Sequence, residues 1–199
     1  MVLQENVSKN EIKVLKLNSM FPMGTFKPYK EYEVPMENKE KSTCFHTVCR
    51  LILKELRQER NVQQAHISQL LSRSPSSWSK VETGDTPLSL DHLLTACSAC
   101  QVWPSQLFVT AQNYMSLLTQ NGWYVAAHGT PLEKEVDLLS LYADEYYNSN
   151  LQQYRNHQVL MTPWPYPGMF APLDVFKWAI DAAFRNSNRA ISAQLSSSE

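Results

Sequence analysis

Between Ser42 and Leu118, apolar residues recur three and four positions apart in short runs, each closed by a cap or turn residue. That rhythm fits amphipathic helices and excludes strands, whose period is two. Cys49, Ile52, Leu53 and Leu56 line a first helix that ends near Arg60 and Asn61, asparagine being a tolerated left-handed cap. A second runs from about Gln63 to Leu71 with Ala65, Ile67 and Leu71 inward. Ser74 and Pro75 open a third, as N-cap and first helical residue, with Trp78 and Val81 on its buried side and Gly84 as its stop. The fourth, about Ser89 to Cys100, carries Leu90, Leu93, Leu94 and Cys97. The fifth begins at Pro104 and passes through Leu107, Phe108, Ala111, Met115 and Leu118 to Asn121 and Gly122.

The flanks read differently. Residues 1–42 hold Pro22, Pro28 and Pro35 and an alternating stretch from Phe26 to Val34, which predicts an extended arm able to form an edge strand. After the fifth helix, Trp123 to Ala127 is a short apolar run, either a strand or a covering loop. Thr130, Pro131 and Glu133 form a capping-box pattern, so a helix is expected from there to about Tyr147, with Leu132, Val136, Leu139 and Tyr146 inward. Residues 162–172 hold four prolines, and Trp164 to Pro167 predicts an ordered connector. A last helix, about Pro172 to Asn186, places Phe176, Ala179, Ile180, Ala183 and Phe184 on one face. The chain of 199 residues thus divides into an arm (1–42), a helical domain (43–110) and a C-terminal helical region for dimerisation or accessory contacts (111–199).

With 43% apolar residues the chain is too hydrophobic to stay disordered. No apolar run is long enough to span a bilayer, and Glu5, Lys9, Glu11, Lys13 and Lys16 stand where a signal peptide would be apolar, so a cytoplasmic protein without membrane contact is expected. The net charge of −1 gives no global attraction for a polyanion. Seven basic residues face six acidic ones in 1–42, six face five in 43–110, and five face eight in 111–199, so any nucleic-acid contact has to be local and in the first half.

Five short helices with a tight turn between the second and third are what a helix-turn-helix needs, because that turn holds the third helix proud of the body. The run Val62-Gln63-Gln64-Ala65-His66-Ile67-Ser68-Gln69-Leu70-Leu71-Ser72-Arg73-Ser74-Pro75-Ser76-Ser77-Trp78-Ser79-Lys80-Val81-Glu82-Thr83-Gly84 closely resembles the Xre-type family of phage repressor and Cro-like helix-turn-helix proteins. The similarity extends upstream to Leu53–Arg57 and downstream through Ser89–Leu94 to Pro104–Phe108, about 60 residues in all. It implies a mainly α chain with a five-helix, lambda-repressor-like DNA-binding domain. It also implies a recognition helix at about 75–83 and a sequence-specific transcriptional regulator on double-stranded DNA.

Position by position, the resemblance places Gln64, with the neighbouring Gln63, on backbone phosphate at the start of the second helix, where main-chain amides favour an anion. Ser74, Pro75, Ser76, Ser79 and Lys80 fall on positions that face the major groove, and Lys80 is the strongest base reader by chemistry. Arg57 and Glu82 match a buried ion pair between the first and third helices. Three positions depart from the family pattern. Ser72 replaces the usual turn glycine, Arg73 stands where an apolar residue is usual and is placed to reach a phosphate, and Ser68 stands where alanine is usual.

Cys97 and Cys100 form a C-x-x-C and Cys44 with Cys49 a second pair, but their place on helical apolar stripes favours packing over a metal site. His46, His66, His92, His128 and His157 are scattered, with no metal-binding pair and no nucleophile signature. No catalytic constellation, metal site or cofactor is expected. The sequence therefore predicts a homodimeric regulator on a palindromic operator, the C-terminal helices pairing, with repression by occluding a promoter as the simplest output, activation equally compatible, and any small-molecule effector or protein partner unspecified. An antitoxin-type autorepressor and a protein-interaction scaffold without DNA affinity are the alternatives.

Overall fold

The computed structural model describes residues 41–127, 132–134, 136–149, 158–163 and 171–196, all within one compact unit, Pro35–Glu199. The expected strand at 26–34, the Thr130–Pro131 cap, the Trp164–Pro167 connector, His128 and His157 lie outside the described residues. The chain is mainly helical.

A short strand β1 (Ser42–Cys44) leads into α1 (Phe45–Glu59). Helix α1 is the central element, burying Val48, Cys49, Leu51, Ile52, Leu53 and Leu56, a face broad enough to receive neighbours from several sides. It stops where Asn61 turns left-handed at φ 54°. Helix α2 (Gln64–Leu70) follows and ends at Ser72, which takes φ 53° without being glycine. Helix α3 (Ser77–Thr83) is closed by Gly84 at φ 83°. Helix α4 (Leu90–Ala99) is capped by Ser89, whose hydroxyl accepts from the His92 amide at 3.2 Å. Helix α5 (Pro104–Gln120) has proline in its first turn and packs along α1.

Strand β2 (Tyr124–Ala126) answers the choice between strand and loop. It pairs in parallel with β1, Thr43 opposite Val125, and so ties the entry of α1 to the exit of α5. Beyond lie α6 (Leu138–Asn148), a 3-10 turn (Val159–Met161), α7 (Asp174–Ile180) and α8 (Ala182–Ser196). These sit on the first helices through Tyr114, whose hydroxyl donates to Thr162 at 2.9 Å and accepts from the Leu173 amide at 2.8 Å. The same ring stacks on Phe176 at 3.9 Å. Glu59 at the end of α1 accepts from the Val159 amide at 2.7 Å. One apolar core runs from Val48 through Tyr114 to Phe176 and Trp178.

Several boundaries and faces differ from the sequence reading. The third helix begins at Ser77 rather than Pro75, because Ser74 to Ser77 close a turn through Ser77 N–H to Ser74 C=O at 2.9 Å. Ser76, not Ser74, holds the cap position. The helix expected from residue 130 starts at Leu138, capped by the buried Asp137, whose carboxylate accepts from the Ser140 amide at 3.1 Å. Val136 is accordingly outside the helix and exposed. The buried side of α4 runs through Leu93, Ala96 and Cys97 to Cys100, which leaves Leu90 and Leu94 in solvent. Ala65 is exposed while Ser68 is buried, and Ala183 is exposed. The last helix is divided at Asp181, which leaves helical geometry and caps α8 through its carboxylate and the Phe184 amide at 2.9 Å.

Candidate nucleic-acid interface

Helices α2 and α3 with the turn between them form one structural unit whose buried side sets the polar Ser68 and Glu82 among the apolar Ile67, Trp78 and Val81. Glu82, 2% exposed, accepts four hydrogen bonds. On Oε1 it receives Arg57 Nε at 2.5 Å and the Trp78 indole N–H at 2.6 Å. On Oε2 it receives Arg57 Nη2 at 3.0 Å and the Gln64 amide at 2.6 Å. The carboxylate thus joins α1, α2 and α3 at one point, and its charge is matched by the bidentate arginine. Arg57 and Glu82 form the ion pair that the resemblance implied.

The start of α3 is held by Ser68. This serine, fully buried, accepts from the Trp78 amide and the Ser77 hydroxyl and donates to the Pro75 carbonyl, each at 3.1 Å. A helix leaves its first amides without internal partners, and here a side chain from the preceding helix supplies one. The departure at Ser68 is therefore a cap delivered from α2. The Trp78 ring packs edge-on against His92 of α4, 6.2 Å between centroids, which fixes the roll of α3.

The end of α3 is held by Arg50, which sequence reasoning missed. It is 5% exposed, and its guanidinium donates to the Glu82 carbonyl at 2.8 Å and to the Ser140 hydroxyl at 2.7 Å. Burial pulls its pKa down, and the Asp137 carboxylate works against that pull. The available signal was the spacing: Arg50 and Arg57 lie seven residues apart, two turns along one face of a helix otherwise rich in buried aliphatics. Among the described residues no acidic group lies within ion-pair distance of Arg50.

The opposite side of the unit faces solvent. Gln63, Arg73, Ser74, Pro75, Ser76 and Lys80 are exposed, and Ser79 is half-buried. Ser79 donates to the Ser76 carbonyl at 2.8 Å. The side chains of Gln63, Arg73, Ser74, Ser76 and Lys80 make no hydrogen bond among the described residues. Gln64 is half-buried and donates its side-chain amide to Glu82. Lys80 and Arg73 are the cations of this face. Asp85, at its edge, is drawn toward Lys134 at 3.3 Å, and the Thr83 hydroxyl and Lys134 hold its pKa below the usual carboxylate value.

The four cysteines are buried and unpaired, and burial raises the Cys97 and Cys100 thiols to about 11. Thiols so disfavoured as thiolates are poor metal ligands and poor nucleophiles. Among the described residues no group of His, Cys, Asp and Glu is arranged to hold a metal ion, and no helix is long and apolar enough to cross a membrane.

No curated protein and no solved structure matches the chain. Residues 51–107, from the middle of α1 into the start of α5, match the family model described as a helix-turn-helix domain. With α2, its turn and α3 set out as above, this segment is a helix-turn-helix domain, the module by which many regulators bind DNA.

Proposed function

We propose that the chain is a sequence-specific transcriptional regulator of the Xre type, with α3 entering the major groove. The observation that carries this reading is the two-sidedness of α3. Its inner side chains are committed to the domain at Trp78, Val81 and Glu82, while Lys80, Ser76 and Ser79 point away from it with hydrogen-bonding capacity to offer. Lys80 is the base reader, suited to guanine O6 and N7, and the serine hydroxyls add contacts to bases or phosphate. Arg73 and Gln63 take backbone phosphates. Gln64 steadies the domain from within, its amide being engaged by Glu82.

The reading extends to a homodimer on a palindromic operator, since one helix reads few base pairs and two half-sites about 34 Å apart give the needed length. Support for pairing comes from α4 and α5, where Leu90, Leu94, Trp103 and Val109 are large apolar residues left in solvent. The same residues favour, as second reading, an autorepressor or scaffold that engages another protein there. The simplest output is repression by occlusion of a promoter. No catalytic step, cofactor or metal enters it.

The test is selection of binding sites from a random duplex pool, followed by titration of the selected site. Wild type is expected to enrich an inverted repeat, and Lys80→Ala to lose about 1–3 kcal/mol on it. A protein that enriches nothing at low salt is a scaffold.

A further inference from the structure

The end of α3 is tied to the far half of the chain by two bridges. In the first, Arg50 holds the Glu82 carbonyl with one terminal nitrogen and the Ser140 hydroxyl of α6 with the other. Ser140 is itself fixed, because its amide donates to Asp137, and Asp137 accepts the Thr47 hydroxyl of α1 at 2.6 Å. In the second, Lys134 reaches Asp85 at 3.3 Å and Asp144 of α6 at 3.0 Å. Burial pulls the Lys134 ammonium down, but the two carboxylates outweigh it and hold the pKa above the ordinary lysine value.

Both bridges land on either side of Gly84, the left-handed residue that closes α3. The guanidinium lies directly under this turn, since a Cβ on Gly84 would stand 3.0 Å from Arg50 Nη1. A cavity of about 50 Å³ lies beside it, lined by Arg50, Gly84, Lys134, Asp137 and Ser140. A helix of seven residues has few internal hydrogen bonds, so its direction depends on what grips its ends. Ser68 and the Glu82 carboxylate grip the helix from within the helix-turn-helix, while the turn that closes it at Gly84 is gripped across to Lys134 and, through Arg50, to Ser140.

We infer that Lys134, Ser140 and Asp144, which lie outside the helix-turn-helix, set the pose of the end of the DNA-reading helix, with Arg50, Lys134 and Ser140 as positioning residues. The structural half of this statement stands alone, and its DNA half rests on the function proposed above. Two amides report on it directly: Gly84 N–H, held by the Val81 carbonyl at 3.1 Å, and Thr86 N–H, held by the Lys80 carbonyl at 2.9 Å.

The experiment is site-resolved amide exchange on the full chain, comparing wild type with Lys134→Gln/Ser140→Ala, a pair of changes that leaves Arg50 and the apolar core intact. Gly84 and Thr86 should exchange about tenfold faster, while the Trp78 amide, held by Ser68, keeps its rate. On the selected DNA site the variant should lose about tenfold in preference over random duplex, with unchanged affinity for the random duplex. Unchanged exchange at Gly84 and Thr86, or equal acceleration at Trp78, overturns the inference. So does accelerated exchange with full DNA preference. If neither protein binds DNA, the exchange result still decides the mechanical coupling, and it is the DNA-binding reading that fails. Arg50→Lys, which keeps the charge and loses the two-sided grip, should repeat the exchange pattern.

Discussion

The underside of α3 and the seat of α7 are both buried and both touch the apolar core, yet they differ in how much buried polar contact they carry. Beneath α3 a single carboxylate gathers four donors from three helices. Around α7 the buried side chains are rings and aliphatics, with Tyr114 stacked on Phe176, Trp178 edge-on to Tyr146 at 5.9 Å, and Leu173 and Val175 fully buried, and hydrogen bonds serve only its start, through the Tyr114 hydroxyl, and the Trp178 indole, through Glu145. Buried apolar area supplies stability without strong direction, whereas a satisfied polar hub adds little net stability and allows few geometries. The difference teaches where this chain needs accuracy. On the function proposed above, the helix that would meet base edges is aimed by a polar hub in addition to its apolar contacts, and the elements behind it are fastened mainly by area.

The comparison breaks first, and most heavily, at α7. Phe176→Ala removes the ring stacked on Tyr114 and should cost about 3–5 kcal/mol in urea unfolding. At protein concentrations where the variant stays folded, its DNA preference should remain that of wild type. If preference falls with stability, α7 also aims α3, and the division of labour fails. Glu82→Gln comes next. It leaves Arg57 without its counter-charge and sets amide against amide at Gln64, for a loss of about 3 kcal/mol. Here the DNA preference should fall even in the folded protein. A variant with wild-type preference would make the hub a packing device only.

The smallest effect sharpens the comparison at its seam. Asp85 has a pKa lowered by the Thr83 hydroxyl and by Lys134 from an ordinary value of 3.8. A depressed carboxylate contributes stability above its unfolded pKa and loses it as pH falls through the folded one. The Asp85–Lys134 bridge should therefore be intact at neutral pH and weaken only below about pH 4. The residue is exposed, so the effect on global stability is slight. It is best read from the carboxyl chemical shift, whose midpoint should move toward 3.8 in Lys134→Gln. A midpoint insensitive to that change would remove the second bridge.

How much of this was legible in the sequence follows the reach of each contact. The α1 stripe, the Asn61 cap and the Gly84 stop are set by neighbours within a few residues, and periodicity or turn chemistry finds them, whereas the left-handed position at Ser72 was reached through the resemblance. The Arg57–Glu82 pair, 25 residues apart, was reached only through resemblance. The start of α6 at Leu138 was not legible because its cap, Asp137, is anchored by Thr47 at a distance of 90 residues along the chain. Arg50 was invisible for the same reason, its partners lying 32 and 90 residues away. Leu90 and Leu94 were assigned inward because a helix can carry two adjacent apolar stripes, and spacing alone does not say which one meets the core.

The central claim is that the outward side of α3 reads DNA, and fluorescence anisotropy on the selected duplex and on its scrambled form, across graded salt, tests it most directly. Wild type should bind both with affinity falling as salt rises. Lys80→Ala should bring its affinity for the selected duplex down toward that for the scrambled one, by tenfold or more for about 1–3 kcal/mol. Equal binding by wild type and Lys80→Ala to the selected site, or no binding by wild type at the lowest salt, would contradict it.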